Sequence, residues 1–166
     1  MKTRSEREQV IERICGERVP TLWCPPLTHY GQNGGIDRDR IERHLAHMAN
    51  WVQSLLIPGS TGDGWELADV EAREVLEIGL QCAERLGLRI LIGVLKTDAE
   101  EARQCVVDTT AWLRERTSSA DDLEAMLKAR VCGFTVCPPK GEDLSQGEIR
   151  DALAEILDLG VPIALY

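Results

Sequence analysis

The sequence predicts an α/β fold built on a parallel sheet, and three observations carry that expectation. Short apolar runs alternate with segments whose apolar residues recur every 3.6 positions. The runs are mostly apolar without alternation, as strands covered on both faces should be. Helix starts and stops punctuate the chain where repeated βα units need them.

A helix over Ser5–Ile14 is expected first, inside a charged amphipathic segment, residues 1–18, that has no apolar signal core. Strands are expected at Val19–Cys24, Ser54–Ile57, Arg89–Val94, Cys132–Cys137 and Val161–Leu165. Helical periodicity fills Asp37–Val52, Asp69–Leu86, Asp98–Arg116 and Gln146–Leu157. Thr97 with Glu100 and Ser145 with Glu148 have capping-box spacing, and Asp37 and Asp69 are suitable starting acids. Gly87 and Gly160 stand where helices should stop. Ser119 with Asp122 opens an additional helix, to about Arg130, which lengthens the third crossover. Right-handed crossovers then give either an open doubly wound sheet or part of a (β/α)8 barrel. Residues 19–166 read as one domain, without linker or low-complexity segment.

The totals exclude several function classes. The 166 residues suit a single domain, and 43% hydrophobic with 28% charged residues is the composition of a soluble globular protein. A formal net charge of −9 repels phosphate backbones and anionic membrane surfaces, so neither is an expected partner. No apolar run approaches a membrane span, and the expected compartment is the cytoplasm. The six cysteines lack C-x-x-C spacing, which points to reduced packing residues and away from structural zinc. His44 and His47 lie three apart on a helix, but no third ligand stands near them in sequence, so no metal site is expected. Trp23 and Trp65 are equally suited to a pocket wall and to packing.

One stretch asks for a chemical explanation. Leu55-Leu56-Ile57 runs into Pro58 and then Gly59-Ser60-Thr61-Gly62-Asp63. In either architecture, loops at the C-terminal ends of strands bind ligands. Small residues let backbone N–H groups approach an anion, and two hydroxyls add donors. The loop is therefore expected to cradle a carboxylate or phosphate. It is not a nucleotide phosphate loop: Gly59 and Gly64 have the spacing of G-x-x-x-x-G-K-S/T, but Trp65 replaces the lysine.

The "GSTGD" motif after an apolar strand, Leu67, Gly93-Val94, the terminal "PIALY" and Gly35-Ile36-Asp37 after the first strand together resemble the dihydrodipicolinate synthase and N-acetylneuraminate lyase family. The resemblance runs from about Val19 to Tyr166. It implies a (β/α)8 barrel, truncated here to about strands one to five, and class I aldolase chemistry on a small-molecule 2-oxo acid through a Schiff base. It implies that Ser60, Thr61 and Gly62 hold the substrate carboxylate, with Ser60 and Tyr166 in the catalytic set and Tyr166 relaying protons. It implies no cofactor and no metal, and a homo-oligomer in complete form. Two rival readings remain open: a non-catalytic half-barrel that keeps an anion site, and an open α/β sheet that binds phosphate.

The sequence departs from the family pattern in three places. The Schiff-base lysine of that family belongs to a sixth strand, and none of Lys2, Lys96, Lys128 and Lys140 matches its position. Pro138-Pro139-Lys140-Gly141 stands where many members carry paired tyrosines, which argues against dihydrodipicolinate synthase itself. Leu95-Lys96 replaces the small residues usual after the third strand. Lys96 and Lys140 are accordingly expected on the catalytic rim, where they could meet a distal anionic group of the substrate.

Overall fold

The computed structural model describes residues 6–16, 18–141 and 143–165. Helix α1, Glu6–Cys15, precedes the sheet, and α2, Arg38–Met48, follows a long loop. Then come β1, Ser54–Ile57; α3, Asp69–Leu86; β2, Arg89–Val94; and α4, Ala99–Thr117. Helix α5, Asp122–Lys128, leads into β3, Val131–Val136, and α6, Gln146–Leu157, into β4, Ile163–Leu165.

The four strands form one parallel sheet in chain order, β1-β2-β3-β4. Successive parallel neighbours joined by helices are the winding of a (β/α)8 barrel, and the chain forms an arc of that barrel. An open doubly wound sheet would reverse its strand order at a switch point.

The expected first strand survives only as a single parallel bridge, Cys24 to Leu55. Cys24 donates its N–H to Ser54 at 3.1 Å and accepts from Leu56 at 3.1 Å. Pairing stops there because Pro25 and Pro26 have no N–H to give. Val19 and Leu22 remain exposed on this edge. The last strand is also shorter than expected, starting after Pro162, which serves the ladder only through its carbonyl, 2.9 Å from the Phe134 N–H.

Helix boundaries follow local chemistry. Asp37 caps α2, its carboxylate accepting from the Arg40 N–H at 3.0 Å. That helix ends before the expected Val52, where the Asn50 side-chain amide takes the His47 carbonyl at 2.9 Å. Ser145 and Glu148 form the expected capping box of α6. The cap of α4 is Asp98, not Thr97: one carboxylate oxygen accepts from Glu100 and Glu101 N–H, each at 3.0 Å. A carboxylate complements the helix dipole better than a hydroxyl does.

The core lies between the sheet and its helices. Leu55, Ile57, Ile90, Ile92, Val94 and Phe134 point to that layer, none more than 2% exposed. Two ion pairs fasten α3 to α4, where Arg116, with 15% of its side chain exposed, bridges Glu77 at 2.9 Å and Glu84 at 2.6 Å. Among the described residues no helix is long and apolar enough to cross a membrane, and no group of three or more His, Cys, Asp or Glu could hold a metal ion. All six cysteines are free.

Candidate carboxylate loop

The small-residue loop leaves the C-terminal end of β1 and tightens into a 3₁₀ turn over Ser60–Gly62. The Gly59 carbonyl accepts from the N–H groups of Gly62 at 3.0 Å and Gly64 at 3.1 Å. Asp63 takes a left-handed conformation, φ 58°, which Asp tolerates better than most residues. Its carbonyl accepts from Glu66 and Leu67, which leads the chain toward α3.

A second wall holds this turn in place. The Thr28 hydroxyl donates to the Gly62 carbonyl at 2.6 Å. A Cβ on Gly62 would stand 2.5 Å from the Pro26 carbonyl, so only glycine fits there. Across the sheet, Gly93 of β2 is needed for the same reason: a Cβ would run into the Pro58 carbonyl. The pKa of the Tyr30 phenol is pushed up, first by burial and then by the Asp63 carboxylate and by Glu71 and Glu66. The glycines thus answer to close packing of the 25–30 segment and β2 against the loop.

The hydroxyl residues remain available. Ser60 and Thr61 are exposed, and among the described residues neither hydroxyl has a protein partner. Their N–H groups lead the turn, where a 3₁₀ segment leaves its first donors without internal acceptors. The Gly62 N–H, by contrast, is committed to Gly59. The turn therefore offers two backbone donors and two hydroxyls, all from Ser60 and Thr61, to an anion at the strand end.

Other sequence candidates fall elsewhere. Lys96 follows β2, and its ammonium pairs with Asp69 at the start of α3, 2.8 Å away. That contact raises the lysine pKa and lowers that of the carboxylate. Lys140 is exposed, with its N–H donated to the Thr97 carbonyl at 2.8 Å. No hydrogen bond or ion pair joins either lysine to Ser60 or Thr61. Tyr166 lies outside the described residues. Trp65 is 42% exposed beside the loop, while Trp23 packs on the core. His44 meets His29: its Nδ1 lies 2.9 Å from the His29 Nε2, with the rings edge to face.

Sequence reasoning missed a cavity of about 380 Å³ between α3 and α4, over Ile92 and Gly93. Asp69, Arg73, Lys96 and Asp108 line it. The Arg73 guanidinium lies 4.3 Å from the centre of the Trp112 ring, and its Nη1 is buried without a partner. Charged residues on a helix, taken alone, suggest a solvated face, and only the spacing of Arg73 against Trp112 could have shown otherwise.

No family model and no curated protein matches the sequence. Solved structures do. The 4-hydroxy-tetrahydrodipicolinate synthase of Methylacidiphilum fumariolicum SolV superposes with a TM-score of 0.67 at 22% identity, over 87% of this chain and 42% of that one. The 2-keto-3-deoxygluconate aldolase of Sulfolobus sulfataricus, in complex with D-KDPG, gives 0.66 at 16% identity, over 89% and 44%. A prophage protein of the dihydrodipicolinic acid synthase family from E. coli K12, in complex with pyruvate, gives 0.62 at 20% identity, over 86% and 43%. The chain thus spans under half the length of the structures it matches, and what the likeness shows is the fold.

Proposed function

We propose that the chain carries the carboxylate-binding part of a class I aldolase or lyase that acts on 2-oxo acids. The observation that carries this reading is the pair of unpartnered hydroxyl residues, Ser60 and Thr61, leading a tight turn at the end of β1. The likeness of the arc to barrel enzymes, two of them solved with pyruvate or D-KDPG, supports it.

On this reading the substrate carboxylate takes the two free N–H groups and the two hydroxyls of Ser60 and Thr61. Each such bond is charge-assisted and stronger than its neutral counterpart. Fixing that end orients the 2-oxo carbon for attack. The electrophile would be an imine on a lysine of a sixth strand, which these 166 residues do not include. Tyr166, the residue after Leu165 in the sequence, would relay protons as a phenol can. Lys96 and Lys140 would meet a distal anion only if Lys96 exchanged Asp69 for it, an exposed pair whose loss costs little. An oligomeric cytoplasmic enzyme belongs to the same reading.

The test is borohydride trapping with pyruvate. The 166-residue chain should gain no adduct at Lys2, Lys96, Lys128 or Lys140, whereas a polypeptide extending it through a lysine-bearing sixth strand should gain one. A single-site adduct on the short chain, or none on the long one, contradicts the reading.

A further inference from the structure

The segment that walls the small-residue turn is fastened to α2 by a pair of histidines. Thr28 and His29 are consecutive and reach different partners. Thr28 meets the turn: its hydroxyl donates to the Gly62 carbonyl at 2.6 Å, and its backbone nitrogen lies 3.3 Å from where a Gly62 Cβ would stand. His29 meets α2: its Nε2 lies 2.9 Å from the Nδ1 of His44, with ring centres 4.9 Å apart. The His29 carbonyl also accepts the N–H of Asp37, the residue that caps α2, at 2.8 Å. One residue of the segment thus grips the helix and its neighbour grips the turn.

The bond between the rings depends on how many protons they carry. It needs one facing nitrogen with a proton and one without. Two neutral rings meet that condition, and so does a pair holding one extra proton. A second extra proton makes both facing nitrogens donors and sets two cations at hydrogen-bond distance. Among the described residues neither ring has a carboxylate partner to offset this. On α2 the further charge that bears on His44 is His47, which also disfavours the proton, while Arg40 reaches the Tyr30 carbonyl at 3.2 Å. Tyr30 itself stays a neutral phenol, since burial, Asp63, Glu71 and Glu66 push its pKa up. From α3, Gln81 and Arg85 engage Arg38 and Glu42, which helical spacing puts on the other flank of buried Ile41 and Leu45.

We propose that the His29–His44 pair is a pH-operated latch on the anion turn: with at most one extra proton it holds Thr28 against Gly62, and a second proton opens it and frees the turn to move. Burial first, then His29 and His47, keep the His44 pKa below its ordinary value, so the latch is closed at neutral pH and opens as the solution becomes acidic. Its consequence for a ligand rests on the reading of that turn as the carboxylate site; the latch itself does not.

The test is an NMR titration of the ligand-free 166-residue chain from pH 8 to pH 5, following the histidine rings and the backbone amides. The Thr28 and Gly62 amides should move with the His29 and His44 rings, at one midpoint below the ordinary histidine value of about 6.5. His44→Gln should abolish that shared transition, and His47→Gln should keep it. Thr28 and Gly62 amides that stay still while the two rings titrate overturn the proposal, as does a transition that persists in His44→Gln. The wild-type titration alone decides this if a variant fails to fold. Pyruvate, ionised throughout this range, should bind several-fold more weakly below the midpoint than above it. Equal binding on both sides of the midpoint removes the latch's control of the turn, whereas no pyruvate binding at any pH contradicts the carboxylate reading and leaves the ligand-free result to decide the latch.

Discussion

The two faces of the sheet differ in what fills them. Toward the helices, Ile57, Ile92, Val94, Phe134 and Val136 are large, branched or aromatic, and no more than 2% exposed. Toward the concave side stand Leu56, Leu91, Gly93, Gly133, Thr135 and Ala164, small or graded in exposure, with Ala164 open to solvent. One strand alternation serves both. The helix face is filled over β1 to β3, against which α1, α3, α4 and α5 pack; over β4 it is open, with Leu165 47% exposed. The concave face is shared, in the solved structures that this arc resembles, with the half of the barrel that the chain does not span. Stability should therefore concentrate on one face and ligand chemistry at the rim of the other.

Substitutions can break that division. Phe134→Ala should be the largest effect, about 3–5 kcal/mol lost in denaturant unfolding, because the ring is fully enclosed. A loss near 1 kcal/mol would mean the helix face is loosely packed. Arg116→Met should cost about 1–3 kcal/mol, since it leaves the partly buried Glu77, and the exposed Glu84, without their hydrogen-bonded cation. Leu56→Ala, on the concave face, should cost about 1 kcal/mol, for its side chain is only half-buried. If it equalled Phe134→Ala, the contrast between faces would fail.

The smallest effect concerns pH. Burial first, then the neighbouring His29 and His47 charges, hold the His44 pKa below its ordinary value. A lowered folded pKa means the unfolded chain binds the proton more readily. That stability is fully present above the unfolded value of about 6.5 and is lost as pH falls through the folded one. His44→Gln should flatten this part of the unfolding profile, and an unchanged slope would assign it to the carboxylates.

Much of this was legible in the sequence. Ser54–Ile57 and Arg89–Val94 read as strands because they are apolar on both faces, and Ser145 with Glu148 announced its helix by local chemistry alone. Val19–Cys24 has the same apolar character but lies on an edge before two prolines, and pairing depends on neighbours that composition does not report. The small-residue turn after the strand was legible, and the sequence suggested an anion cradle that includes Gly62, yet the Gly62 N–H is spent inside the turn, a matter of backbone geometry. Lys96 does follow the C-terminal end of β2, but the sequence did not report that the fold brings Asp69, 27 positions away, to its ammonium. The cavity over Ile92 depends on two helices meeting, and no single segment encodes it.

The most direct test of the central claim is an amide-resolved NMR titration of this chain with pyruvate. The Ser60 and Thr61 amide signals should shift saturably, ahead of all others, and Ser60→Ala with Thr61→Val should weaken the response. Saturable shifts confined to the α3–α4 cavity, or unmoved Ser60 and Thr61 amides, would contradict the assignment of this turn as the carboxylate site.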